Sequence, residues 1–169
     1  IDVQTADGTM PTFLFHPEHD DPRPGVLYLM DSPGIRAALR AAQKEEKAVC
    51  ISGARHAMGG QQFLADGLMI DTRRMNRLLN FDAEKGHVEF EAGIQWPQLL
   101  THLTSLQKER ERQWTFAQKQ TGADKLTLGG CLSANVHGRG LKMPPFIGDV
   151  ESFGLLTARG DVVNCSRTE

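Results

Sequence analysis

The chain has few cysteines, no long apolar run and no excess of charge of either sign. Its three cysteines, Cys50, Cys131 and Cys165, are odd in number, far apart and without a CxxC pair. That pattern argues against a disulfide framework and for a reducing compartment, here expected to be the cytoplasm. No apolar stretch approaches the roughly 20 residues needed to cross a bilayer, and no signal-peptide pattern is present, so no membrane partner is expected. A formal charge of −2 gives no pull toward nucleic acid. The histidines His16, His19, His87 and His102 are scattered, which argues against a metal site. Two common phosphate-binding spacings, GxGxxG and GxxxxGK(S/T), are both missing. What remains is ordinary for a globular chain of 169 residues, 40% hydrophobic and 24% charged, long enough to bury a core without staples.

Patterning predicts mostly strands, with about three helices. "PTFLF" and "GVLYLM" read as strands, the second apolar on both faces and therefore buried. In "DSPGIRAALRAAQ", Ser32 can cap a helix that Pro33 begins, and Ile35, Ala38, Leu39 and Ala42 make one apolar stripe. "KAVCISG" is the next strand, so the region reads as a strand–helix–strand unit with "GVLYLM" pairing beside "KAVCIS". "GLMIDT" follows as a strand, and "GHVEFEAG" as a half-exposed one with Val88, Phe90 and Ala92 inward and Glu89 and Glu91 outward. "IQWPQLLTHLTSL" places Trp96, Leu99, Leu100 and Leu103 on one helical face, and "QKERER" reads as a solvated helix face. "VESFGLLTARGDVVNCS" reads as a hairpin turning at Arg159–Gly160. The class is α+β.

Two glycine-rich tracts interrupt this pattern, "SGARHAMGG" and "TLGGCLSANVHGRG". Each follows a strand, and the second opens a short helix at its paired glycines. Free N–H groups at such turns form concave anion sites, and two of them on one small domain suit a long ligand with a pyrophosphate, a dinucleotide. Taken singly, each tract reads more readily as a plain turn; the pair is what favours a ligand.

From about Ala41 to Glu169 these motifs run in an order that resembles the FAD-binding PCMH-type domain of vanillyl-alcohol-oxidase-type flavoproteins. The nearest groups are the aldonolactone and alditol oxidases and the decaprenylphosphoryl-ribose oxidases. The resemblance rests on "VCISGARHAMGGQQF", "GLMIDTRRMNRLL", "VEFEAGIQWPQLL", "QKQTGADKLTLGGCLSANVHGRGL" and "DVESFGLLTARGDVV". It implies a two-subdomain fold with FAD between the halves. By the same resemblance Gly53, Ala54, Arg55, His56, Ala57, Met58 and Gly59 wrap the pyrophosphate. Gly129, Gly130, Ser133, His137 and Gly138 run toward the flavin ring, with Thr121 and Asp124 near the cofactor. Some members carry a histidine at the position of His56 bonded to the flavin 8α-methyl, so covalent FAD is one expectation and a hydrogen-bonding loop histidine the other. Where many members have serine, this chain has Ala57, which leaves phosphate contact to backbone N–H groups.

Residues 1 to about 37 resemble instead the opening of dienelactone-hydrolase-like α/β-hydrolases, and no GxSxG or GxCxG elbow follows. The expectation is therefore a hybrid: a hydrolase-like stub over residues 1–40, joined in the helix around Ile35–Ala42 to a flavin domain over 41–169. The chain begins at Ile1 and stops at "NCSRTE", which reads as a fragment ending before a substrate domain. The expected function is the FAD-binding part of an oxidoreductase acting on CH–OH groups of sugar alcohols or lactones, the sugar-type substrate being met only by a full-length relative. A ligand-free chimeric scaffold is the alternative, and an acyl hydrolase is disfavoured for want of a nucleophile. Core left exposed where a cap would dock would favour self-association.

Overall fold

The computed structural model describes residues 25–26, 33–60, 62–117, 119, 122–138, 140 and 142–167. The expected "PTFLF" strand, most of "GVLYLM" and the capping Ser32 lie outside them. Among the described residues, helix α1 (Pro33–Lys44) buries Ile35, Leu39 and Ala42 of the expected stripe and leaves Ala38 half-buried. Two residues past its end, Glu46 at φ 52° turns the chain so that the Lys47 N–H bonds back to the Ala42 carbonyl at 2.9 Å.

Strands β2 (Val49–Ser52) and β3 (Leu68–Asp71) pair in parallel, with Ser52 opposite Asp71. The crossover between them is the first glycine tract rather than a helix. Strands β4 (Leu78–Asp82) and β5 (His87–Phe90) form an antiparallel hairpin. Its turn is held by Asp82 Oδ1, which accepts from the N–H groups of Glu84 and Lys85 at 2.9 and 3.1 Å. Strand β1 (Gly25–Val26) lies parallel to β5, with Gly25 opposite His87. This corrects the expected pairing of β1 with β2. The short crossover commits β2 to β3, and α1 then joins two different sheets instead of closing a strand–helix–strand unit. Strands β6 (Ser152–Leu156) and β7 (Val162–Ser166) make the expected hairpin, with Gly160 at φ 87° in its turn.

Helix α2 (Trp96–Leu106) buries Trp96, Leu99 and Leu103, and helix α3 (Leu128–Ser133) buries Leu128, Cys131 and Leu132. These side chains meet Val88, Phe90, Ile94, Phe146 and Phe153 in the main core. Trp96 stands edge-on to Phe116 and Phe146, with ring centres 5.1 and 6.0 Å away. Burial pushes the Cys131 thiol up to about 12, so it packs as a small apolar group and not as a thiolate.

A smaller cluster seats Ile35, Leu39 and Leu156 against Val49, Ile51 and Ile70, fixing α1 over β2 and β3. The "QKERER" run is not a helix face: Lys108 to Arg112 form exposed turns, while its first residue, Gln107, is buried. Helix α2 stops at Leu106, where Gln107 turns inward and bonds both the carbonyl and the N–H of Trp114, at 3.0 and 2.5 Å.

Glu91, expected to face outward, is only 6% exposed. It takes the Arg77 guanidinium on Oε1 (2.9 and 2.6 Å) and the Arg77 N–H on Oε2 (2.8 Å). Alternation predicts the outward face only while the strand continues. β5 ends at Phe90, and the chain then turns under the 72–77 segment.

Candidate functional site

The first tract leaves β2 at a glycine that cannot be anything larger without a shift. A Cβ on Gly53 would lie 2.2 Å from Thr127 Oγ1. Thr127 is buried, begins α3, and accepts the Gly130 N–H on its hydroxyl at 3.3 Å. The two glycine tracts therefore touch, one at its start and the other at the residue that caps its helix. A second close approach locks α3 to the turn after β5: the Gly129 N–H donates to the Ala92 carbonyl at 2.7 Å, and a Cβ there would lie 2.8 Å from that oxygen. The Leu128 N–H donates to the Ile94 carbonyl at 2.9 Å. Gly138 faces the Lys119 carbonyl, which a Cβ would meet at 3.9 Å, so Lys119 borders the end of the second tract.

The amides of the two tracts differ. Among the described residues, the N–H groups of Ala54 to Gly59 make no hydrogen bond, and the tract closes only with Gly60 N–H to the Ala57 carbonyl at 3.3 Å. At the start of α3, by contrast, the Leu128, Gly129, Gly130 and Cys131 N–H groups are all taken. The expectation of free amides in both tracts thus holds for the first and not for the helix start of the second. A helix of 6 residues here serves as a wall against Gly53.

Arg55, His56, Ala57, Met58 and Gly59 are exposed on the loop and Ala54 is half-buried. No described residue bonds the His56 ring. Ser133 is exposed at the last turn of α3, as is His137 farther on, with its Nδ1 3.1 Å from the Gly138 carbonyl oxygen. Asp124 pairs with Lys119. Thr121 lies outside the described residues. The exposed face of this cradle therefore carries backbone together with the side chains of Arg55, His56, Met58, Ser133 and His137.

Arg55 holds φ at 61°, in the left-handed region that favours glycine. Its guanidinium is 3.5 Å from Asp71 Oδ2 at the end of β3. Asp71 is itself gripped by Arg73, through Nε to Oδ1 and Oδ2 at 2.9 and 3.0 Å and Nη2 to Oδ2 at 2.6 Å. That charge-assisted hydrogen bonding, reinforced by the Arg73 N–H and the two guanidinium charges, lowers the Asp71 carboxyl to about 2 against the desolvation that opposes it. A depressed carboxylate adds stability that is complete above its unfolded value near 3.8 and is lost as pH falls through about 2. In urea titrations Asp71→Asn should accordingly show a shallower loss of stability than the parent between pH 4 and 2.

Sequence reasoning missed Thr127 and Asp71. Thr127 was discoverable as a threonine preceding a short apolar helix, an N-cap pattern. The role of Asp71 depends on register with Ser52 and has no local signal. A shallow groove lined by Ile147, Val150, Phe153, Cys165 and Arg167 includes no residue of either tract.

A family model described as an FAD binding domain matches residues 24–166. L-gulonolactone oxidase of Mus musculus is 30% identical over 146 residues, 86% of this chain and 31% of that protein. An alkyldihydroxyacetonephosphate synthase structure superposes with a TM-score of 0.63 at 19% identity, over 85% of this chain and 28% of that one. Glucooligosaccharide oxidase from Acremonium strictum, with its 6-S-cysteinyl, 8α-N1-histidyl FAD, superposes at 0.57 with 18% identity, over 93% of this chain and 32% of that one. The chain thus spans about a third of the length of such relatives. The matched span begins at residue 24 and runs through the junction expected at Ile35–Ala42, and α1 packs into the same core as β2 and β3. Neither finding supports a separate hydrolase-like unit over 24–40. By fold and by sequence the chain belongs to the FAD binding domain family.

Proposed function

We propose that this chain is the cofactor-binding part of a flavin-dependent oxidoreductase acting on a CH–OH carbon of a sugar alcohol or lactone, with the substrate pocket completed by further chain in the full protein. The observation that carries the reading is the close approach of Gly53 to Thr127, which sets a run of amides unbonded among the described residues beside the second tract. Glycines that a Cβ would block and N–H groups without partners fit a pyrophosphate brought close to backbone. The sugar-acid chemistry rests on the similarity to L-gulonolactone oxidase.

In this reading the 54–59 amides hold the pyrophosphate, and Gly53 and Gly129 keep the backbone close-packed behind it. Ser133, His137 and Gly138 border the flavin end, and Thr121 and Asp124 belong near the cofactor by resemblance. His137 is assigned in this reading to polarise the flavin or touch substrate. FAD, when bound, supplies the two-electron acceptor for a hydride leaving the substrate carbon. His56, exposed and unbonded among the described residues, is the point of covalent attachment, as a histidine is in the glucooligosaccharide oxidase.

Titration of the chain with FAD should quench flavin fluorescence saturably and yield yellow protein after gel filtration. Colourless protein after refolding in excess FAD would mean a scaffold without ligand. Colour is further expected to survive acid precipitation, and His56→Ala to release it while retaining reversible binding. Flavin freed by acid from the parent would remove the covalent assignment alone.

A further inference from the structure

We infer that Arg55 and Asp71 form a latch that holds the first glycine tract in its open-amide conformation, Arg55 being a positioning residue and not a direct ligand of the phosphates. The inference rests on the function proposed above, because the tract it positions is the one that would take the pyrophosphate.

Three observations carry it. Arg55 sits at φ 61°, a conformation that strains a side-chain-bearing residue and persists only where its surroundings enforce it. Its guanidinium reaches back 3.5 Å to Asp71, the residue paired with Ser52 at the root of the same loop. Asp71 is already oriented by the two-nitrogen grip of Arg73 and by the Arg73 N–H at 3.0 Å, so little further ordering is needed when Arg55 docks. An isolated exposed pair is worth little, but one partner fixed in advance makes the tie more effective. Among the described residues the amides from Ala54 to Gly59 bond to nothing, so the loop needs some other restraint, and this pair ties its first turn to the sheet.

The latch and direct phosphate binding by Arg55 make opposite predictions for Asp71. If Arg55 positions the loop, Asp71→Asn should weaken FAD binding about threefold to tenfold, as should Arg55→Ala, and the double variant should be no worse than either single one. If Arg55 binds phosphate itself, freeing it by Asp71→Asn should leave affinity unchanged or raise it, and the latch is refuted. Arg55→Gly adds a second discrimination. Glycine adopts φ 61° without strain, so a purely conformational role would be preserved or improved. The latch instead requires Arg55→Gly to lose affinity as Arg55→Ala does, and Arg55→Lys to recover part of it. Parent-like binding by Arg55→Gly would overturn the proposal.

Limited trypsin digestion provides a readout independent of FAD. Cleavage after Arg55 should accelerate about threefold or more in Asp71→Asn, relative to cleavage after the exposed Arg110 in the same digest. An unchanged ratio counts against the latch. A parent that fails to bind FAD while this ratio rises would refute the proposed function and leave the latch standing.

Discussion

Gly93→Ala is expected to destabilise the domain by about 3 kcal/mol or more and to leave little soluble protein. A Cβ at this position would lie 1.8 Å from the Thr72 carbonyl oxygen and 2.7 Å from that of Met75. Both are backbone atoms, so no rotamer change clears the space. The Thr72 turn is itself fixed, by its N–H and hydroxyl to the Ser52 carbonyl at 2.9 and 3.2 Å and by the Met75 N–H to its own carbonyl at 2.9 Å. Moving it would pull on β2, on the end of β3 and on the cradle between them. Gly160→Ala is the matched control. It has open space for a methyl but a φ of 87°, and should cost only about 1 kcal/mol from backbone strain. Urea unfolding of both variants checks the order. A Gly93→Ala protein as stable as Gly160→Ala would mean that the 72–75 turn does not rest on residue 93.

The contrast between these glycines shows what was legible in the sequence. Helices α1 and α2 and the β6–β7 hairpin were readable because their signals are local: a stripe at Ile35, Leu39 and Ala42, another at Trp96, Leu99 and Leu103, and Arg159–Gly160 between two strands. Pairing partners were not readable. Nothing near Val26 says that it lies beside Val88 and not beside β2, since partner choice is decided by how short the next crossover is. Glu91 looked solvent-facing by alternation, and its burial depends on an arginine 14 residues earlier. The site was legible in kind, as two small-residue tracts, but not in detail. Which amides are open, and which glycine is there for close approach, follows from tertiary contacts of Thr127, Ala92 and Asp71.

Gly53→Ala is expected to lower FAD affinity by at least about tenfold in a domain that remains folded. Its φ lies outside the left-handed region, so alanine suffers no backbone strain there and the substitution isolates one contact. That contact is with Thr127 Oγ1 at 2.2 Å, with Cβ and Cγ2 of the same residue at 3.3 Å. Thr127 is buried and β-branched, so rotating its hydroxyl away means finding room for a methyl and giving up the cap on the Gly130 N–H. Loss of such a cap costs about 1 kcal/mol, which is the stability change expected for Thr127→Ala alone. The alternative response to Gly53→Ala is for the loop to lift off α3, and that separates the open amides from the second tract. Combining the two changes should therefore help: Gly53→Ala with Thr127→Ala removes the 2.2 Å clash and leaves only the 3.3 Å approach to Cβ. The double variant should bind FAD more tightly than Gly53→Ala while being no more stable than Thr127→Ala, a non-additive pair of the kind direct neighbours give. Fluorescence titration and urea unfolding on the four proteins read both quantities. If the double variant binds as poorly as Gly53→Ala, the spacing between the first tract and the cap of α3 does not set cofactor affinity.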